Sequence, residues 1–359
     1  MMLYHCVLPH TLVFKNLAIT SRGAYRVRNV WYVFLSSMPL QASDCARLLQ
    51  SPSEWGNRKV GVGEIAPLYD LSEDYTDNFE ELIDVCCRKC FQSGCPDFAL
   101  LKAYPSIRFG AETAWLSYCS ADGLALFDTP FSRGESSLRI NGLVWMGSIE
   151  QMTLGAKSKV DAGFKCIKCK IGAHDFNQEL MFLKQLRRNY PKTYFQLRLD
   201  ANGAYSVESV EQVLHELKCL DVHSIEQPIK KGQWEFMQKL CEVSPIPIAL
   251  DEELIGVNDF KEKTKLLEII RPQYIVLKPT LHGGIGGTLE WIKLAKQFKI
   301  GYWITSALES NVGLNAIAQL ASVVEGAEPW QGLGTGGLFE QNIEGLGLKL
   351  EGECLKRES

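Results

Sequence analysis

The sequence contains no run of about 18 uncharged apolar residues of the kind a membrane-spanning helix requires. Its quietest stretch, Ser310–Val324, is interrupted by Asn311, Asn315 and Gln319, so no membrane span is expected. Neither sign of charge is in excess: 38 Lys and Arg stand against 42 Asp and Glu, a net charge of -4. That balance leaves no electrostatic footprint for nucleic acid or an anionic membrane as partner. No Lys or Arg precedes the apolar start of the chain, which reads as a short strand and not as a signal segment. The six histidines show no ligand spacing.

Cysteine is plentiful by comparison, with twelve residues scattered irregularly. In a long chain without a secretory signal they are expected to be reduced thiols of a cytoplasmic protein. Cys87/Cys90 and Cys166/Cys169 have the Cys-x-x-Cys spacing of zinc half-sites. The second pair falls in Phe164–Ile171, which reads as a strand, where residues three apart face opposite sides. The first pair lies in a helical stretch and shares a face, but no second half accompanies it. A non-catalytic zinc or redox-thiol protein is therefore kept only as a distant alternative.

The 359 residues suit two domains, or one barrel with an appendage. Residues 1–122 carry β-rich runs (Val7–Phe14, Val30–Leu35, Val60–Ala66) followed by two helical segments, one with Phe79, Leu82, Ile83 and Cys86 at helical spacing and one after Pro105. Strands followed by helices predict a small α+β domain ending near Asp122. From residue 123 to about 339 short apolar strands alternate with amphipathic helices. The strand candidates are Ile140–Val144, Phe164–Ile171, Phe195–Leu199, Ser224–Ile225, Ile246–Leu250, Tyr274–Leu277, Gly301–Thr305 and Trp330–Leu333. Eight strands with helices between them predict an α/β fold of the TIM-type (β/α) barrel class, with a doubly wound open sheet as runner-up. The tail, about 340–359, is read as packing on the first domain.

Charged residues mark the ends of these strands. Lys168 and Lys170 end the second, Asp200 the third, Glu226 the fourth, Asp251 the fifth and Lys278 the sixth. From Lys170 onward the gaps are 30, 26, 25 and 27 residues, one βα unit each time. A lone Asp after a strand is most simply a helix cap, but five consecutive strands ending in charge are not five caps, and lysines do not cap helix N-termini. On a barrel these ends converge on the catalytic face. Three carboxylates on neighbouring strands offer hard oxygen ligands suited to Mg²⁺, with Mn²⁺ as a substitute. Lysines on the second and sixth strands would flank that ion and act on a carbon acid beside a carboxylate. A lysine crowded by another cation has a lowered pKa, so Lys168 is expected to help make Lys170 a base.

The run Lys168-x-Lys170, Leu199-Asp200-Ala201-Asn202, Ile225-Glu226-Gln227-Pro228, Asp251-Glu252 and Leu277-Lys278-Pro279 resembles the muconate-lactonizing-type branch of the enolase superfamily. The resemblance covers the whole barrel and implies that the first domain is that family's capping domain. Within the branch, Ser21-Arg22-Gly23, Gly63–Leu68, Arg198–Asn202 and Ile140–Trp145 resemble the o-succinylbenzoate synthases of menaquinone biosynthesis. It implies a Mg²⁺-dependent carbon–oxygen lyase acting on a small carboxylate, with Lys170 as base, Lys278 as the opposing cation, Lys168 in support, and Asp200, Glu226 and Asp251 as metal ligands. N-acylamino acid racemases and dipeptide epimerases of the same superfamily are the nearest rivals. Dipeptide epimerases tend to carry Asp-x-Asp after the sixth strand, where this chain has Thr280-Leu281-His282-Gly283.

Substrate contacts are expected at Ser21, Arg22, Arg198, Asn202, Ser306 and Gly334. Arg198 shares strand parity with Asp200 and so faces the interior, either touching substrate or pairing with a ligand carboxylate. Asn202 either orients Asp200 or begins a helix. Gly332–Gly337 formally matches G-x-G-x-x-G, but without a following βαβ unit its N–H groups are read as a carboxylate cradle and not a dinucleotide site. His282–Gly287 reads as a flexible crossing, and Ser306 and Glu309 end the seventh strand. The oligomeric state is not legible.

Overall fold

The computed structural model describes residues 2–20 and 23–358, so Ser21 and Arg22 lie outside the described residues. The chain opens with a long antiparallel pair, β1 (Tyr4–Thr20) and β2 (Gly23–Ser36), to which β3 (Val60–Ile65) adds antiparallel. Between β2 and β3 lie α1 (Ala42–Leu49) and α2 (Trp55–Arg58), and after β3 come α3 (Phe79–Phe91) and α4 (Pro105–Cys119). The sequence reading found α3 and α4 but neither of the shorter helices. Glycine is what lets α4 lie on β3: a methyl group on Gly61 or Gly63 would sit 2.0 Å from the carbonyl oxygen of Ala114 or Gly110. The two backbones are thus in direct contact. One face of the sheet buries Val33, Leu35 and Ile65 against α3 and α4; the other buries Leu12, Phe14 and Tyr32 with residues of the barrel side.

The barrel strands follow: β4 (Ser137–Ile140), β5 (Gly142–Val144), β6 (Cys166–Lys170), β7 (Gln196–Asp200), β8 (Val222–Glu226), β9 (Ile248–Leu250), β10 (Tyr274–Leu277), β11 (Gly301–Ile304) and β12 (Trp330–Gln331). Their helices are α5 (Ile149–Asp161), α6 (Phe176–Asn189), α7 (Val210–Leu217), α8 (Trp234–Val243), α9 (Phe260–Ile270), α10 (Gly284–Phe298) and α11 (Asn311–Val323). Strands β5 to β11 pair in chain order, all parallel. The ring closes through β12, which pairs parallel with β4 and meets the end of β11 through the Thr305–Gly332 bridge. An open doubly wound sheet is thereby excluded.

Two expectations need correction. Ile140–Val144 is not one strand: the chain breaks at Asn141, whose N–H goes to Gln331 O at 2.9 Å, so β4 serves β12 while β5 serves β6. The apolar run reads continuously because Ile140 and Val144, on either side of the break, are both buried in the core. The tail also divides its allegiance. Phe339, Ile343 and Leu346 pack with Leu12 and Phe14, with Lys15 and Glu340 exchanging backbone bonds with Leu338 and Val13. The chain then returns as the hairpin β13 (Leu348–Glu351) and β14 (Cys354–Arg357), and β14 pairs antiparallel with β4.

Candidate active site

Parallel pairing sets Lys168 beside Arg198, Lys170 beside Asp200, and Asp200 beside Glu226. Partners in register point to the same side, so Lys168, Lys170, Asp200 and Glu226 all face the barrel interior at the strands' C-terminal ends. Asp251 and Lys278 arrive from the ends of β9 and β10. All three carboxylates are buried. Lys168 Nζ donates to Glu226 Oε2 at 2.5 Å and lies 2.9 Å from Asp200 Oδ2. Lys170 Nζ reaches Asp200 Oδ2 at 3.1 Å and Asn202 Oδ1 at 2.8 Å. Lys278 Nζ donates to Asp251 Oδ2 at 2.5 Å, at the end of the neighbouring strand.

Asn202 and Gln227 hold this set in shape. Both have left-handed backbone, with φ of 45° and 38°. Asn202 donates its N–H to Asp200 Oδ1 and its Nδ2 to Glu252 Oε1, so it orients the Asp200 carboxylate and does not begin α7. Gln227 Oε1 accepts the N–H groups of Asp251 and Glu253, each at 3.2 Å. The sequence motifs contain Glu252 and Gln227 but give no sign of these roles, which arise only from convergence in space. His282 was also overlooked: it is fully buried, and its Nδ1 accepts the Lys278 N–H at 3.0 Å.

Burial opposes ionisation of Asp200, yet Lys168, Lys170 and Lys278 outweigh it and hold its pKa below the usual carboxylate range. Burial also pulls Lys168 and Lys278 down, but the neighbouring carboxylates prevail and leave both above an ordinary lysine. Glu226 moves the other way, pushed up to about 7 by burial and by the Asp200 and Asp251 charges. Burial and the Asp251 charge raise Glu252 too. The site is short of positive charge.

The donor set fits a hard cation on that account and on a second. Glu226 Oε1, Asp251 Oδ1 and Glu252 Oε2 are buried without a hydrogen-bond partner among the described residues, a costly condition that an ion would relieve. Among the described residues no three acidic, His or Cys side chains form a ready-made metal group. Lysine ammonium groups lie between and against the carboxylates instead.

A cavity of about 600 Å³ opens above these residues, a size suited to a small organic ligand. Lys168, Lys170, Asp200, Asn202 and Lys278 line its floor, with Ser306 and Gly334 beside them. The first sheet adds Asn16, Leu17 and Tyr25. Ser306 Oγ is tied to Gly332 O and Thr335 Oγ1. Glu309 turns away, accepting from Thr280 Oγ1 and Ala307 N.

Arg198 does not join the cavity lining. It is interior as parity required, but its guanidinium stacks 4.1 Å over Trp303 and donates to Trp330 O at 3.0 Å, one layer below the carboxylates. Two residues along a strand are about 6.6 Å, enough to drop a side chain from the carboxylate layer to the packed layer beneath the cavity. His282–Gly287 is likewise not a flexible crossing. Gly284 begins α10, and Ile285 and Gly286 donate their N–H groups to Glu112 of α4. As for the thiols, all twelve cysteines are free, and Cys87, Cys90, Cys166 and Cys169 are buried.

The geometry defines a barrel that sets opposed lysines about a carboxylate cluster. The model of the Enolase C-terminal domain-like family matches residues 151–352, and the chain belongs to the enolase superfamily. Over 92% of its length it is 36% identical to the o-succinylbenzoate synthase of Desulfotalea psychrophila, covering 93% of that protein. The crystal structure of MenC from the same organism superposes with a TM-score of 0.82 at 32% identity, over 99% of this chain and 100% of that one. A dipeptide epimerase from Enterococcus faecalis, solved with Mg and the dipeptide L-Leu-L-Tyr, shares the fold at TM-score 0.81 and 17% identity, over 100% of this chain and 98% of that one.

Proposed function

We propose that this chain dehydrates a succinyl-hydroxycyclohexadiene carboxylate to o-succinylbenzoate, a syn elimination in menaquinone biosynthesis. The observation that carries the reading is the pair of lysines on β6 and β10, set on opposite sides of Asp200, Glu226 and Asp251. The full-length similarity to a synthase favours elimination over the epimerase chemistry of more distant relatives.

Asp200, Glu226 and Asp251 would hold Mg²⁺, or Mn²⁺ in its place. When bound, such an ion stabilises negative charge developing on the substrate carboxylate. Lys170, as the neutral amine, takes the α-proton at Nζ, held in position by Asn202 and Asp200. Lys278 stays an ammonium on the opposite face and stabilises the enediolate by charge. The carbon–oxygen bond then breaks on the face of Lys170, and the proton that Lys170 took leaves with the hydroxyl as water. The ring becomes aromatic, which drives the step. Lys168 supports the base by bridging Asp200 and Glu226. Ser306 and Gly334 contact substrate from the seventh and eighth strand ends, and a capping unit of residues 1–122 closes the barrel of 123–339 over it. Twelve unpaired cysteines favour the cytoplasm.

Purified chain with Mg²⁺ and the cyclohexadiene substrate should yield the aromatic product, followed by ultraviolet absorbance and mass. Conversion of N-succinylamino acids with no elimination would replace this reading by racemisation.

A further inference from the structure

The cavity above the carboxylates does not end at the barrel wall. In register with Lys168, Leu143 faces the interior, so Gly142 and Val144 beside it on β5 face outward to α5. All three line the one cavity, as do Gly155, Ser158 and Lys159 of α5 and Phe164 at the approach to β6. It crosses the wall at the seam, where β5 is bonded to β6 alone among the described strands and β12 takes β4. Asn141 and Gly332 flank that crossing. Gly155 leaves room outside the wall: a methyl group added there would meet Val144 Cγ1 at an unstrained 3.6 Å.

Lys159 stands at the outer end of this arm. Its stem lies on Gly142, where a methyl group would sit 3.0 Å from Cγ and Cδ, and its ammonium is 5.3 Å from the Phe164 ring centroid. The side chain is half-buried, and its ammonium has no carboxylate partner or hydrogen bond among the described residues, whereas Lys157 is paired with Asp161. Burial with no opposing charge pulls its pKa below that of an ordinary lysine. An aromatic face offsets only part of the cost of burying a cation, and an anion offsets more. We propose that the arm binds a small carboxylate with an apolar body, an arylalkanoate in class, whose head pairs with Lys159 and whose body lies on Val144 and Phe164. Outside the wall Lys159 is the one cation among the described lining residues. One ammonium, with the Ser158 hydroxyl on the same lining, supplies donors for a single carboxylate, whereas a phosphate calls for a denser set.

The inference stands on the cavity and Lys159 and not on the proposed reaction. The test titrates the full-length protein in Mg²⁺ buffer with 4-phenylbutyrate by calorimetry. Saturable binding of one molecule per chain is expected, and chelation should leave it in place because the arm holds no metal ligand. The uncharged 4-phenylbutanol should bind about tenfold more weakly or worse, and Lys159→Met, which keeps an apolar stem, should lose a similar factor. Lys159→Arg keeps the charge and should retain most of the affinity. In wild-type protein, 4-phenylbutyrate should slow acetylation of Lys159 about fivefold or more while Lys157 reacts as before, read by peptide mass. The proposal is overturned by absence of saturable binding, by equal affinity for the alcohol or in Lys159→Met, or by binding that chelation abolishes. Lys159 protected no more than Lys157 overturns it as well, and this wild-type measurement decides even if Lys159→Met fails to fold.

Discussion

Lys170 and Lys278 have different neighbours, and the difference can be read in kinetics. Lys170 donates to Asp200 and to the uncharged amide oxygen of Asn202, whereas Lys278 donates to the Asp251 carboxylate. Lys170→Ala should lower elimination by about 10²–10⁴-fold, the range a positioned base supplies. Lys278→Arg keeps the charge but not the proton-transfer chemistry. It should damage N-succinylamino acid racemisation far more than elimination, and equal loss of both with folding and metal binding intact would refute a charge-only Lys278. The carboxylates carry a separate expectation. Chelation should abolish turnover and added Mg²⁺ restore it, while Asp200→Asn, Glu226→Gln and Asp251→Asn should weaken Mg²⁺ binding in calorimetry with an unchanged circular dichroism spectrum. Undiminished turnover in metal-free protein would refute the ligand assignment.

Elements were legible where periodicity and charge agreed. The ends of β6 to β10 could be placed because one βα unit separates each charged residue from the next. Arg198 was misjudged because parity gives the side of a strand and not the depth along a barrel. The start of α10 was hidden because glycines at its N-terminus carry no helical signal; Glu112, remote in sequence, supplies the hydrogen bonds. Glu64 is a similar long-range tie. From the end of β3 it accepts the N–H groups of Ser310 and Gly313 and the Ser310 hydroxyl, bracing the first turn of α11. Burial nevertheless pushes its carboxyl up to about 7 from 4.5. The folded state therefore binds the proton more tightly than the unfolded chain. The stability it contributes is fully present below about pH 4.5 and is lost as pH rises through about 7. Relative to Glu64→Gln, wild-type stability in urea should fall by roughly 3 kcal/mol across that window; a flat difference would mean the carboxyl is ionised throughout. Gly63→Ala should cost about 1–3 kcal/mol or more, because α4 must move off β3. An unchanged urea midpoint would show that the contact yields freely.

Across the whole molecule, the two parts are stitched at several points. Arg28 on β2 donates to the carbonyls of Ala66 and Pro67 at the end of β3 and to those of Ala307 and Leu308 beyond β11. The tail runs from the first sheet to β4, and β14 lies on the strand that closes the barrel through β12. Removing residues 347–358 should therefore loosen the barrel seam as well as the terminus. Amide exchange at Ser137–Ile140 should accelerate at least tenfold and turnover should fall; protection retained there would show that β12 holds the seam alone.

The path of the tail has a consequence for descent. A recombination event that joined this first sheet to a foreign barrel would leave Leu12 and Phe14 without Phe339, Ile343 and Leu346, which are encoded at the other end of the gene. An exchange of the first sheet that kept the foreign tail would have to match both ends of the gene at once, because the apolar partners of β1 are written beyond the barrel.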